Sequence, residues 1–367
     1  MQYRDYGKTG IKVSALGYGA MRLPKDDEEA ISCMVRGLEL GINYIDTAYG
    51  YNDGWSEKMV GKAAKRFGRG KVFIATKNPM HDDTKDGWWK RLERSLEYLD
   101  TSYIDFLKVV HALSWEAWER INKPGGMIEA IIEAKDQGLY HHPIFSCHDS
   151  PENMMKLIDT GFFEGILLQY NLLDRRNEDV IAHAAEMGMG VEVMGPVGGG
   201  RLGMSSEKLE SLASDVKSTP ELALRFVLAN PNVSVAFSGM SNMEQVEENC
   251  ATASREDALS AEELESIEQA LRENQRLAEL YCTGCNYCMP CPQKVGIPQA
   301  FAAMNMHKVW GLTEHAKHMY RRLGPNHREG LLQADACIEC GKCEEKCPQN
   351  IPIMEQLKET HAALGGE

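Results

Sequence analysis

The chain contains no run of eighteen apolar residues, and Met1-Gln-Tyr-Arg-Asp-Tyr6 lacks the basic start and apolar stretch of a secretory signal. A bilayer span and export are therefore not expected, and the protein is expected to be soluble and cytoplasmic. Positive charge is in short supply: 40 Lys and Arg stand against 54 Asp and Glu, for a net charge of −14. Phosphate backbones and anionic lipid surfaces would be repelled, so neither nucleic acid nor membrane is an expected partner. Before residue 280 the only cysteines are Cys33, Cys147 and Cys250. That scarcity excludes a disulfide framework for the bulk of the chain. No Gly-x-Gly-x-x-Gly turn follows an early strand. Leu16-Gly-Tyr-Gly-Ala-Met21 does not match it, which argues against a doubly wound dinucleotide fold. Solenoid repeats are absent as well.

What is present is length and regular alternation. With 367 residues, 43% of them hydrophobic, the chain can bury one large core and still carry a small appendix. A hairpin over residues 2–12 is predicted to close the bottom of a barrel. Eight short β-rich runs follow: Val13–Gly19, Tyr44–Asp46, Val72–Thr76, Ile104–Val110, Tyr140–Ser146, Gly165–Gln169, Val191–Met194 and Val233–Phe237. Segments with helical periodicity separate them, among them Asp26–Leu40, Ser56–Phe67 and Trp88–Leu99. Eight strands each followed by a helix over about 250 residues predict an α/β fold, a (β/α)8 TIM barrel. The acidic stretch Ser260–Leu280 reads as a helix. The predicted organisation is a barrel over 1–258, a connecting helix over 259–280, and a small, mostly helical second domain over 281–367.

One stretch organises the barrel: Asp46-Thr-Ala-Tyr-Gly-Tyr51-Asn-Asp-Gly-Trp-Ser56-Glu57. It places a carboxylate at a strand end and a phenol in the loop after it. The next strand leads to Lys77 and the one after that to His111. A phenol donates a proton near neutral pH only if a neighbour lowers its ordinary pKa of about 10, and Lys77 is a candidate for that neighbour. Taken singly, these residues have ordinary explanations: a loop tyrosine, a snorkelling lysine, a core histidine, a capping aspartate. Four of them at successive strand ends do not.

This set resembles the aldo-keto reductase signature, over roughly the first 255 residues. The resemblance implies an NAD(P)H-dependent oxidoreductase that reduces a carbonyl, or oxidises an alcohol, by hydride transfer. Tyr51 would protonate the developing alkoxide, Lys77 would lower the phenol's pKa, Asp46 would pair with Lys77, and His111 would orient the carbonyl. Loops containing Trp88-Trp89, His111–Trp118 and His148 would line the pocket of a small-molecule carbonyl substrate. The cofactor would be NADP or NAD. The loop Gly195-Pro196-Val-Gly-Gly199-Gly200-Arg201-Leu202-Gly203 after the seventh strand offers uncovered backbone N–H groups and a cation for its phosphates. By the same resemblance Met21, at the end of the first strand, belongs to the cofactor site. Ser146 and Gln169 match positions that hold the nicotinamide amide. Ser238, Gly239, Gln245 and Asn249 match the adenosine-binding segment. There are departures: Cys147 stands in place of an Asn, and Met194 in place of an aromatic. Gln245 replaces an Arg that would meet a 2′-phosphate, which leans toward NAD.

Eight cysteines lie beyond residue 280. They form Cys282-x2-Cys285-x2-Cys288-x2-Cys291-Pro and Cys337-x2-Cys340-x2-Cys343-x3-Cys347-Pro. The second is the bacterial ferredoxin run, and the first is one residue short of it. Two Cys-x2-Cys pairs would also suit a single zinc ion. Eight thiols in two runs that each end in Pro favour two [4Fe–4S] clusters, so residues 281–367 resemble a ferredoxin-like iron–sulfur domain. By analogy, Cys282, Cys285, Cys288 and Cys347 would hold one, and Cys337, Cys340, Cys343 and Cys291 the other. The short first run leaves the assignment of Cys291 open.

Nicotinamide chemistry moves electron pairs whereas clusters move single electrons, so the clusters need not serve the hydride step. They would serve a redox partner protein, a bound substrate or the bracing of the C-terminus. The alternative to an enzyme is a non-catalytic redox-sensing or electron-transfer subunit that binds the nucleotide. Oligomeric state is not legible.

Overall fold

The computed structural model describes residues 1–80, 82–282, 286–347 and 350–365, with backbone only for 274–281. A two-stranded antiparallel hairpin opens the chain, β1 (Tyr3–Asp5) against β2 (Lys12–Ser14). Eight parallel strands then close a barrel: β3 (Leu16–Gly19), β4 (Tyr44–Asp46), β5 (Phe73–Lys77), β6 (Ile104–Lys108), β7 (Tyr140–Ser146), β8 (Gly165–Gln169), β9 (Gly190–Met194) and β10 (Val235–Ser238). They run in chain order, and β10 pairs with β3 to complete the ring. The expected strand Val13–Gly19 is divided. Its first two residues belong to the hairpin, and Ala15 separates them from β3. Likewise β6 ends at Lys108 rather than Val110, so the chain has left the strand before it reaches His111.

Helices separate the strands where apolar stripes and caps put them. Trp55–Phe67 buries Met59, Val60, Ala63 and Ala64, one face of a 3.6-residue period. Lys85–Tyr98 begins after Thr84, whose side chain accepts from the Gly87 N–H, and Pro151–Asp159 begins after Ser150 with Pro at its first turn.

The hairpin supplies the lower plug. Tyr6, fully buried, packs with Val13, Tyr44, Phe106, Ile144, Leu167 and Phe237 inside the ring. Its ring occupies space left by Gly165 and Gly190. A Cβ at either position would fall 2.2 Å from Tyr6 atoms, so those strand starts accept no side chain. Strand alternation then places the next inward layer one step higher. Above Tyr44 on β4 comes Asp46, above Ala75 on β5 comes Lys77, above Phe106 on β6 comes Lys108, and above Gly190 on β9 comes Glu192. The barrel's second layer is therefore charged rather than aliphatic.

The chain divides into two compact units. One is Met1–Gly199 with Ala223–Ala258; the other is Gly200–Leu222 with the chain from Leu259 onward. The second unit has its own core, built on Phe301, Tyr320, Leu323, Ile353 and Leu357 from helices Ile297–Lys308, Thr313–Arg321 and Ile353–Leu364 and the turn after the second of them. Within it, the 200–222 segment is tied to the later helices: the Ser206 hydroxyl donates to the Trp310 carbonyl at 2.8 Å, and Lys208 to the Lys308 carbonyl at 2.7 Å. Ser260–Leu280, predicted helical, is the helix Ala261–Tyr281. Among the described residues, no helix is long and apolar enough to cross a membrane.

Candidate active site and cysteine cavity

β4 ends on Asp46, and the chain turns at once. The Thr47 N–H donates to the Ala75 carbonyl, and Tyr51 begins a tight turn whose next two residues, Asn52 and Asp53, lie at φ 49° and 56°. Asn and Asp tolerate that left-handed region better than most residues. The helix that follows is pinned by its first residues. Ser56 Oγ donates to the Ala20 carbonyl at 2.7 Å and lies 2.8 Å from Thr47 Oγ1, while buried Glu57 accepts from Thr76 Oγ1 at 2.6 Å. Ser56 and Glu57 thus fix the loop that carries Tyr51.

Lys77 points inward from the end of β5. Its ammonium donates to Asp46 Oδ2 at 2.5 Å and to the Thr47 carbonyl at 2.6 Å, and lies 4.7 Å from the centre of the Tyr51 ring. Burial alone would make this lysine easier to deprotonate. The Asp46 carboxylate and the phenol outweigh it and raise the ammonium to about 12. Asp46 is the converse: burial would raise its carboxyl, but Lys108 and Lys77 hold it below the ordinary carboxylate range. Both groups are therefore charged across the physiological range.

His111 follows a two-residue bend after β6, and its N–H donates to the Asn78 carbonyl. Its Nδ1 lies 3.1 Å from Ser146 Oγ, which itself accepts from the Ala112 N–H at 2.9 Å. In the tautomer where the serine proton goes to Nδ1, Nε2 is the protonated nitrogen. Burial first, and then the Lys77 charge, push the imidazole down from 6.5 to about 4. His111 is a neutral donor at neutral pH.

A stability consequence follows from linkage. Between about pH 6.5 and 4 the unfolded chain binds a proton on this histidine and the folded chain does not. Stability then rises with pH through that window and is lost as pH falls through it. Thermal melts are expected to show part of the acid decline between those limits disappearing in His111→Asn. An unchanged pH slope in the variant would refute the burial of a neutral imidazole.

The neighbouring residues divide differently from expectation. Trp88 is 1% exposed, and its indole N–H donates to the Val109 carbonyl at 2.8 Å, so it braces the chain leading to His111. The Cys147 thiol is buried and donates to the Leu113 carbonyl at 2.9 Å. Ser146 is turned to His111. Gln169 ends β8 beside Gly195. Gly195, Gly199 and Gly200 sit at φ 64°, 67° and 97°, a left-handed run that leaves backbone N–H groups without flanking side chains. Pro196 lies within that run. Arg201 and Leu202 continue it into the turn Gly198–Gly203, Leu202 fully buried. Ser238 Oγ accepts from the Asn249 amide at 3.2 Å, and Gly239 packs on the Arg22 side chain. Gln245 caps the Ser241 N–H with its own carbonyl, and Met21 is exposed.

Three charged residues were not singled out from the sequence. Arg22 donates to the Gly199 carbonyl at 3.0 Å, which sets a cation against the glycine loop. Lys108 and Glu192 lie inside the barrel, the former donating to Asp46 Oδ1 at 2.7 Å. The available signal was parity: Lys108 stands two residues after Phe106, and Glu192 two after Gly190, on strands whose inward positions alternate.

In the second unit, Cys288, Cys291, Cys337, Cys340 and Cys343 line a cavity of about 240 Å³, with Lys342, Lys346 and Leu357 in its wall. Four of these are the thiols that the ferredoxin analogy groups together. Cys282 and Cys347 pack against the small core, and Cys285 lies outside the described residues. Among the described residues no three His, Cys, Asp or Glu side chains stand as a single-ion site.

A model of the aldo/keto reductase family matches residues 15–272, and a model of the 4Fe-4S dicluster domain matches 281–351. An uncharacterized oxidoreductase, YqkF of Bacillus subtilis, is 28% identical over 309 residues, spanning 75% of this chain and 98% of its own. The L-galactose dehydrogenase of Arabidopsis thaliana is 27% identical over 72% of this chain and 91% of its own. Among solved structures, the holo form of the aldo-keto reductase AKR11C1 from Bacillus halodurans superposes with a TM-score of 0.64. It is 31% identical, with 73% of this chain and 96% of that one covered.

Proposed function

The chain belongs to the aldo/keto reductase family, and from that premise we propose that it is an NAD(P)H-dependent oxidoreductase acting on a small carbonyl compound or the corresponding alcohol. The observation that carries this reading is the buried Lys77 ammonium, held by Asp46 and lying against the Tyr51 ring, 4.7 Å from its centre. A cation fixed there stabilises the phenolate left when Tyr51 gives its proton to the alkoxide forming on the substrate. Asp46 and the Thr47 carbonyl keep the ammonium from swinging away. His111, neutral and with Nε2 protonated, donates to the carbonyl oxygen, and a preorganised donor of that kind is worth about 3–4 kcal/mol of barrier.

The bound nucleotide supplies the hydride. Gly195 and Gly199, with Arg22 beside them, fit its phosphates. Gln169 fits the nicotinamide amide, and Ser238, Gln245 and Asn249 the adenosine end. Gln245 stands where an arginine would meet a 2′-phosphate, which favours NADH. In the second unit the cavity fits a cluster held by Cys291, Cys337, Cys340 and Cys343. Cys282, Cys285, Cys288 and Cys347 would hold its companion, and together the two would give the module one-electron chemistry.

The test is turnover of anaerobically prepared protein with NADH and NADPH against a panel of aldehydes and ketones. Nucleotide-dependent loss of carbonyl compound is the expected result, with NADH preferred. Folded protein that binds nucleotide yet turns over none of the panel would leave the redox-sensing subunit as the better reading.

A further inference from the structure

The charged layer inside the barrel extends past the residues that the proposed chemistry uses. Lys77 and Lys108 are register partners on β5 and β6, both pointing inward, with Asp46 bridging them at 2.5 and 2.7 Å. Lys108 continues to Glu192 Oε2 on β9, also at 2.7 Å, and the other oxygen of Glu192 accepts from Tyr6 at 2.8 Å and from Tyr44. Lys108 and Glu192 are both fully buried. Lys108 also lies 5.3 Å from the centre of the Phe237 ring and 5.8 Å from that of Tyr44. An ion pair placed there costs desolvation that an aliphatic pair of similar volume would not, so packing alone does not account for it.

Resting on the functional reading above, we propose that Lys108 and Glu192 are positioning residues that set how much of the Asp46 charge remains to offset Lys77, and so set the positive field at Tyr51 and His111. The order of the four groups carries this. Away from Tyr51 the signs alternate: Lys77 positive, Asp46 negative, Lys108 positive, Glu192 negative. The outer pair is a dipole with its positive end toward the site, and in a low-dielectric interior its field is weakly screened. Lys108 draws on the carboxylate that would otherwise neutralise Lys77. Glu192 keeps the four charges summing to zero, and the two tyrosine hydroxyls fix its carboxylate. The groups that face His111 are Lys77, Asp46, His148 and Lys108, so its imidazole reports on the layer directly.

Sign makes the proposal testable. Glu192→Gln, which can still accept from Tyr6 and Tyr44, leaves the layer one charge more positive. Lys108→Met leaves it one more negative. His111 titration is followed by NMR on the protein without nucleotide, and the pH profile of kcat/KM on the complete enzyme. Glu192→Gln is expected to lower the His111 midpoint and shift the kcat/KM profile toward acid. Lys108→Met is expected to move both the other way. Each shift is on the order of one pH unit, the size for a unit charge added to a buried cluster. The double variant Lys108→Met/Glu192→Gln restores the charge sum and should return close to the parent. Thermal melts identify variants that have not folded, and either single variant alone still carries a sign. A structural role would loosen the barrel in both singles and move both midpoints the same way. That result, or no movement in folded protein, overturns the proposal. The His111 titration needs no turnover, so opposite shifts in a protein without carbonyl activity would leave the charge layer standing and remove the functional reading instead.

Discussion

Tyr51→Phe is expected to lower carbonyl reduction by about two to four orders of magnitude, the usual contribution of a positioned general acid. Nicotinamide nucleotide affinity should stay close to that of the parent. The substitution deletes only the phenolic oxygen. The ring that lies against the Lys77 ammonium remains, and Lys77 keeps Asp46 and the Thr47 carbonyl as partners. The loop is held by Ser56 and Glu57 rather than by Tyr51 itself. Steady-state rates with the best aldehyde, set beside a fluorescence titration of nucleotide, separate the two quantities. Retention of activity within about tenfold of the parent would mean that another group protonates the alkoxide.

The second large effect concerns the cysteine module. Anaerobically purified protein is expected to be brown and to carry about eight iron and eight labile sulfide per chain, the stoichiometry of two four-iron clusters. Cys337→Ser/Cys340→Ser removes two thiols from the cavity that also holds Cys291 and Cys343. Iron should fall to about four per chain. The core beside the cavity should loosen as well, since Cys291, Cys337 and Cys343 pack against Phe301, Tyr320 and their neighbours. Hydride transfer to a simple aldehyde is expected to survive. Asp46, Tyr51, Lys77 and His111 all lie in the first unit, before residue 112. The control is the barrel's thermal transition, which must be unchanged. Zinc without labile sulfide in the parent would sink the cluster assignment. Loss of aldehyde activity with an intact barrel would make the module part of the catalytic cycle.

The number of barrel strands and the type of barrel were legible because most strands were short, largely apolar runs followed by a helical period. Local sequence encodes that pattern. Boundaries were less legible. Val13–Gly19 reads as one apolar strand, yet its first two residues pair with β1. The choice between two partners depends on which backbone arrives alongside, and no residue in the run records it. Ile104–Val110 reads as one strand, with Asp105 and Lys108 its only charged residues, but Val109 is already outside the strand, where its carbonyl receives the Trp88 indole.

For the site, the sequence by itself determined that a carboxylate, a phenol, a lysine and an imidazole follow successive strands, and that eight thiols fall in two ferredoxin-like runs. Those are matters of spacing along the chain. Only the tertiary structure decided that Ser146 turns to His111, that Cys147 points into the core, and that Lys108 and Glu192 extend the Asp46–Lys77 pair across the barrel. Each of those is a contact between residues 30 or more positions apart. The physical reason lies in barrel closure. It converts strand parity into a shared interior layer, where β4, β5, β6 and β9 present buried charges to one another. A charge that looks like an isolated surface residue in the sequence then has no choice but to find a partner.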